Sequence, residues 1–158
     1  AETFLVSYVN FKSKIIKEFA MENLKQWTVE FIKQKDLIQK SIVDIKENDV
    51  IHVKFKDKEQ VYVVQSEIDG FQEAIDYSEK DTWVVMVCYN TKQNFDKLIK
   101  NWENLVKFKK LSVMFVNPES NKDKKWIIYP STHNSICDPS SLKTGLESMF
   151  AMVDEYTE

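Results

Sequence analysis

The sequence predicts an α/β protein: one domain spanning residues 1–158, with a central mixed β-sheet flanked by helices. Three observations carry that expectation. Residues 83–89 (WVVMVCY) and 111–116 (LSVMFV) are near-continuous apolar runs, the pattern of strands covered on both faces. The segments after them return apolar residues at helical spacing. Upstream, residues 50–55 and 60–65 are β-rich runs around the polar turn Lys56-Asp57-Lys58-Glu59, which reads as a hairpin.

Taken in order, residues 3–20 place Phe4, Leu5, Tyr8, Val9, Ile15, Ile16 and Phe19 at spacings of one helical face, with Lys12, Lys14, Lys17 and Glu18 mostly elsewhere. Trp27, Val29 and Phe31 then alternate with Thr28 and Glu30, the period of a short half-buried strand. Residues 33–47 fit a short helix, a strand, or one of each. After the hairpin, Asp69-Gly70-Phe71-Gln72 resembles an N-cap with Gln at the third helical position, opening a helix with Phe71, Ala74, Ile75 and Ser78 on one side. The apolar stripe Phe95, Leu98, Ile99, Trp102, Leu105 and Val106 predicts one helix over 94–108. Residues 126–129 form a further strand ended by Pro130. Asp138-Pro139 starts a last helix, which carries Leu142, Leu146, Met149, Phe150 and Val153 inward and could touch the first.

Composition excludes several function classes. Only Gly70 and Gly145 exist, so neither a Walker A segment nor a G-x-G-x-x-G turn can cradle a phosphate. The chain has no arginine: all 22 basic residues are lysine, so bidentate guanidinium capture of phosphate or carboxylate is absent. With 25 acidic residues the net charge is −3, which does not advertise nucleic acid or an anionic membrane. An apolar fraction of 43% is ample for a core. Cys88 and Cys137 make no disulfide framework, and Cys88 reads as a buried free thiol. No basic-then-apolar leader opens the chain and no apolar run nears membrane-spanning length, so the expectation is a reduced, cytoplasmic, soluble protein.

The succession of a helix, a three-stranded meander, a helix and a buried strand resembles the restriction-endonuclease-like superfamily over roughly residues 4–90. Active members of that superfamily carry an acid near the start of the second strand and Glu-x-Lys on the third, two carboxylates that hold a divalent metal and a lysine that meets the phosphate. The corresponding residues here are Asp49, in Asn48-Asp49, and Gln65-Ser66-Glu67, where Gln replaces the acid and Glu replaces the lysine. Pairing Phe55 with Val61 and Val53 with Val63 sets Ile51 opposite Gln65 and Asp49 opposite Glu67, which gathers Asp49, Gln65 and Glu67 on one face. Asp49 and Glu67 are then candidate metal ligands, for Mg²⁺ or Mn²⁺ if the chain is a nuclease; otherwise no cofactor is expected.

Two further segments carry candidate binding residues. Residues 92–110 hold six lysines, Lys97, Lys100 and Lys107 among them, against Asp96 and Glu103, and a lysine face can track a phosphate backbone. Residues 129–138 read as a polar loop where Tyr129, Ser131, His133 and Asp138 concentrate hydrogen-bonding groups. The residues thus imply, first, a non-catalytic restriction-endonuclease-like module binding nucleic acid or a protein partner. The alternatives are a metal-dependent nuclease using Asp49 and Glu67, and an interaction or small-ligand module with its site at 129–138.

Overall fold

A computed structural model describes residues 2–158. Its first element, α1 (Glu2–Lys35), is one unbroken helix of 34 residues, roughly 50 Å long at 1.5 Å per residue. The strand expected over 27–31 does not form. Trp27 and Phe31 lie one helical turn apart with their rings stacked, centroids 5.4 Å apart, and Leu24, Thr28 and Ile32 are buried at the same spacing. Five alternating residues satisfy both periods, and the neighbouring turns decide between them. The Thr28 hydroxyl donates to the Leu24 carbonyl at 2.7 Å, so its burial leaves no unpaired group.

The ambiguous stretch resolves into the end of α1, a reversal, and β1 (Ile42–Glu47). Lys40 takes the left-handed conformation, φ 49°, without glycine's freedom. The Asp36 carboxylate holds the reversal by accepting from the Ser41 amide and hydroxyl and from the Ile42 amide, at 2.9, 2.6 and 2.9 Å. The Ser41 hydroxyl bond leads in drawing its pKa below the usual 3.8, partly offset by desolvation and helped by the two amides.

The remaining strands are β2 (Ile51–Phe55), β3 (Glu59–Val64), β4 (Trp83–Tyr89), β5 (Leu111–Val116) and β6 (Lys125–Ile128), and the six lie in sequence order across one sheet. β1, β2 and β3 form an antiparallel meander; β3, β4 and β5 run parallel; β6 returns antiparallel. The fold is therefore α/β with a mixed sheet, as its sequence predicts. The parallel connections carry α2 (Gln72–Glu79), then α3 (Lys92–Lys100) and α4 (Trp102–Leu105). Successive right-handed crossovers advancing in one direction place their helices on the same face. On that face Ala74, Leu98 and Leu105 pack with Val63, Met86, Val113 and Phe115, joined by Leu146 from α6 (Leu142–Ala151). The opposite face is left to α1, whose Ala20, Leu24, Val29 and Ile32 cover Ile51, Val53, Val64, Val85, Val87 and Met114. First and last helices thus lie on opposite faces of the sheet, so the contact considered between them is not made.

Three local expectations change. The helix expected over 94–108 breaks at Asn101, whose side-chain amide donates to the Lys97 carbonyl at 2.8 Å. Helix α2 begins after Phe71 and has no side-chain cap, so Asp69 is not its cap; the Asp69 amide instead donates to the Gln65 side chain at 2.9 Å. Residues 129–138 are not an open loop, because Pro130–Ile136 forms a helix, α5. Cys88 is a fully buried free thiol, and burial pushes its pKa up.

Candidate interaction surface

In an open α/β sheet, ligands sit in the crevice beyond the carboxyl ends of the parallel strands. Here that position is filled by the chain's own C-terminal segment, held by asparagines. Asn90, wholly buried, follows β4; its amide donates to the Val153 carbonyl at 3.0 Å and its oxygen accepts from the Trp126 indole at 2.8 Å. Asn117, after β5, donates to the Asp154 carbonyl at 2.9 Å. Asn94 accepts from the Ile68 amide at 2.8 Å and donates to the Tyr89 and Ser66 carbonyls. The Tyr156 amide donates to the Asn90 carbonyl, and its ring stacks on Tyr89 at 3.7 Å. Burial, then the neighbouring Tyr156, pushes the Tyr89 phenol well up. Sequence reasoning missed these asparagines, although two of them directly follow the parallel strands.

The nuclease-like constellation does not assemble as expected. The hairpin pairs Ile51 with Tyr62 and Lys54 with Glu59, closed by a bond from the Phe55 amide to the Lys58 carbonyl. Partners therefore sum to 113 rather than the expected 116, and an odd shift exchanges the two faces of one strand relative to the other. Asp49 lies in the exposed bend between β1 and β2, before the ladder begins; extending the register would set it level with Val64, not Glu67. Gln65 follows β3 with its side-chain oxygen given to the Asp69 amide. Glu67 is exposed beside a small cleft of about 150 Å³ that Tyr89, Thr91 and Tyr156 also line. Among the described residues, no three His, Cys, Asp or Glu side chains converge as a metal site.

The lysine and loop candidates are divided. The Lys97 ammonium donates to the Ile68 carbonyl and so ties α3 to the segment before α2. Lys100 and Lys107 are exposed. Tyr129 stands at the N-cap of α5, with its carbonyl accepting from the His133 amide. His133 packs edge-on against Trp102, and its Nε2 is buried without a hydrogen-bond partner. Ser131 is half-buried in the first turn of α5. Asp138 caps the short 3₁₀ turn Pro139–Ser141 by accepting from the Ser140 amide at 3.1 Å. Lys97, Tyr129, His133 and Asp138 thus make local contacts within the fold.

The feature that stands apart is the first half of α1. Every residue from Glu2 to Phe19 is exposed, and burial begins at Ala20. Phe4, Tyr8, Phe11, Ile15 and Phe19 form one stripe at helical spacing, broadened on one side by Leu5, Val9 and Ile16. Phe4 is 78% exposed and Phe19 68%, large values for aromatic side chains on a folded protein. This stripe does not continue the one that grips the sheet. Ala20, Leu24 and Thr28 run back along the helix through Lys17, Ser13 and Asn10, all polar, as far as Val6; the apolar stripe runs forward into Glu22, Gln26 and Lys33, meeting the buried face only at Val29. At about 100° per residue the two apolar faces lie roughly half a turn apart, and they exchange sides near residue 20. One helix thus offers one face to its own sheet and, further toward its N-terminus, the opposite face to solvent. The face of 3–20 was readable in the sequence; that it points away from the domain was not.

No protein-family model, curated protein or solved structure matches this chain. Among the described residues, no helix is long and apolar enough to cross a membrane.

Proposed function

We propose that this chain is a non-catalytic binding module of restriction-endonuclease-like architecture, and that it docks a protein through the N-terminal half of α1. The order α1–β1–β2–β3–α2–β4, with β2 antiparallel to its neighbours and β3 parallel to β4, supports the architectural resemblance. The non-catalytic reading is supported by the crevice at the strand ends, which Asn90, Asn94 and Asn117 join to the chain's own backbone. The observation that carries the docking reading is the apolar stripe from Phe4 to Phe19, held in solvent on the side of α1 opposite the sheet. An aromatic-rich surface of this kind is what protein partners bury, whereas a phosphate backbone needs convergent cations. Of the six lysines in residues 92–110, Lys97 is engaged internally, and Lys110 pairs with Asp81 at 2.8 Å.

Fluorescence anisotropy with labelled duplex DNA, single-stranded DNA and RNA at low salt tests the choice of partner class. The expected result is no binding to any of the three. Binding that falls steeply with salt, and that is lost in Lys100→Glu/Lys107→Glu, would replace a protein partner by nucleic acid.

A further inference from the structure

We infer that the partner covering the apolar stripe of α1 is a second copy of this chain, packed helix against helix; this rests on the docking reading above and specifies its partner. The first support is area. Five of the stripe's residues are Phe, Tyr or Ile with exposures from 48% to 78%, and with the adjacent Leu5, Val9 and Ile16 they present roughly 900 Å² of apolar surface, taking 150–250 Å² for each fully exposed aromatic side chain. That exceeds the patches of about 300–600 Å² that monomers ordinarily leave bare. It matches the ~800 Å² that each partner gives to a stable protein interface.

The second support is pattern. Phe4, Tyr8, Phe11 and Ile15 are spaced four, three and four residues apart, the a/d alternation of a two-helix seam. With Phe19 flanking its last position, the seam covers residues 4–19, roughly 23 Å at 1.5 Å per residue, which is long enough for two heptads. The positions that would prolong it, Glu18 and Glu22, are acidic, and the seam stops where the helix reaches its own sheet. A parallel pair would bring Glu18 against Glu18 and Glu22 against Glu22, and would crowd the two sheets at one end. An antiparallel crossing centred near Phe11 avoids both. It sets Phe4 of one copy against Phe19 of the other, and Tyr8 against Ile15, in the self-complementary arrangement of a two-fold dimer.

Charge argues against a lipid surface as the occupant. Residues 2–19 hold three lysines against two glutamates, too even a balance for a helix drawn to anionic headgroups.

Sedimentation equilibrium of the 158-residue chain between about 1 and 100 μM tests the inference, beside Phe11→Glu/Ile15→Glu on the stripe and Ser13→Glu on the polar side of the same helix. Wild type and Ser13→Glu are expected to dimerise over that range. Phe11→Glu/Ile15→Glu is expected to remain monomeric, with the near-ultraviolet circular dichroism of dilute, dissociated wild type, because its substitutions lie outside the core. A wild-type monomer throughout, or a dimer untouched by Phe11→Glu/Ile15→Glu, would overturn the inference. So would a monomer that floats with anionic phosphatidylglycerol vesicles through Phe11 and Ile15, since the occupant would then be lipid. Should the stripe variant lose its near-ultraviolet signal, Phe4→Gln/Phe19→Gln at the two ends of the seam must weaken dimerisation at least tenfold, and an unchanged constant overturns the inference. None of these outcomes depends on nucleic-acid binding, so a failed dimer leaves the broader choice of partner class separately testable.

Discussion

Residues 20–35 and residues 2–19 belong to one helix and use the same kinds of side chain, yet the two halves do opposite things. In the C-terminal half, Ala20, Leu24, Val29 and Ile32 are buried against the sheet and the far side is polar. In the N-terminal half the sheet side carries Asn10, Ser13 and Lys17 beside Val6, and the far side carries Phe4, Tyr8, Phe11 and Ile15. A helix that merely overran its sheet would keep one apolar stripe and dilute it. A reversal of face instead marks two separate packing jobs, one within the domain and one beyond it. The isolated half cannot draw much on helix propensity, since most helical stability in proteins comes from packing of the apolar face.

The sharpest way to break this contrast is a matched pair of truncations. Leu24→Ala removes a fully buried side chain and should cost about 3 kcal/mol in urea denaturation, within the ~2–5 kcal/mol seen for such cavities. Phe11→Ala should cost nothing measurable at a concentration where the chain is dilute. Equal losses would mean that the N-terminal half is packed after all. A smaller effect is expected at the junction, where the Tyr89 hydroxyl donates to the Ala20 carbonyl at 2.7 Å. Tyr89→Phe should destabilise the domain by about 1 kcal/mol, the net worth of one buried hydrogen bond.

At the far end of α1, Asp36→Ala should lower the melting temperature near neutral pH. Because the folded-state pKa lies below 3.8, the carboxylate's contribution is complete above that value and is lost as pH falls through the lower, folded-state pKa. The difference between wild type and variant should thus persist to about pH 4 and shrink below it; a gap that widens in acid would refute the assignment. The smallest effect belongs to Ser13→Ala on the exposed polar side. It should slow amide exchange in residues 5–19 by about twofold, on the ~0.5 kcal/mol propensity difference, without moving the global melting temperature.

The elements differ in how plainly the sequence marks them. The sequence marks strands β4 and β5 almost to the residue, because a strand covered on both faces has no polar interruption. The apolar stripe of residues 4–19 reads as a face, but periodicity reports only that a face exists, not what covers it. Trp27, Val29 and Phe31 misled because β-branched and aromatic residues in a five-residue window look like a strand. Only their continuity with Leu24 and Ile32 shows them as helix. The hairpin register failed for a different reason. Its turn is shorter than assumed, a difference set by local turn geometry, and an odd shift separated Asp49 from Glu67. The asparagine network could not be inferred from spacing, because Asn90 joins groups more than 60 residues away in sequence.

Hydrogen–deuterium exchange along α1, measured at about 1 μM and at about 100 μM, tests the central claim most directly. The account predicts that amides of residues 24–32 are protected equally at both concentrations, since they pack on their own sheet. Amides of residues 5–19 should exchange rapidly in the dilute sample and become protected in the concentrated one. Protection of residues 5–19 that is strong and independent of concentration would contradict the account, because the N-terminal half would then need no partner.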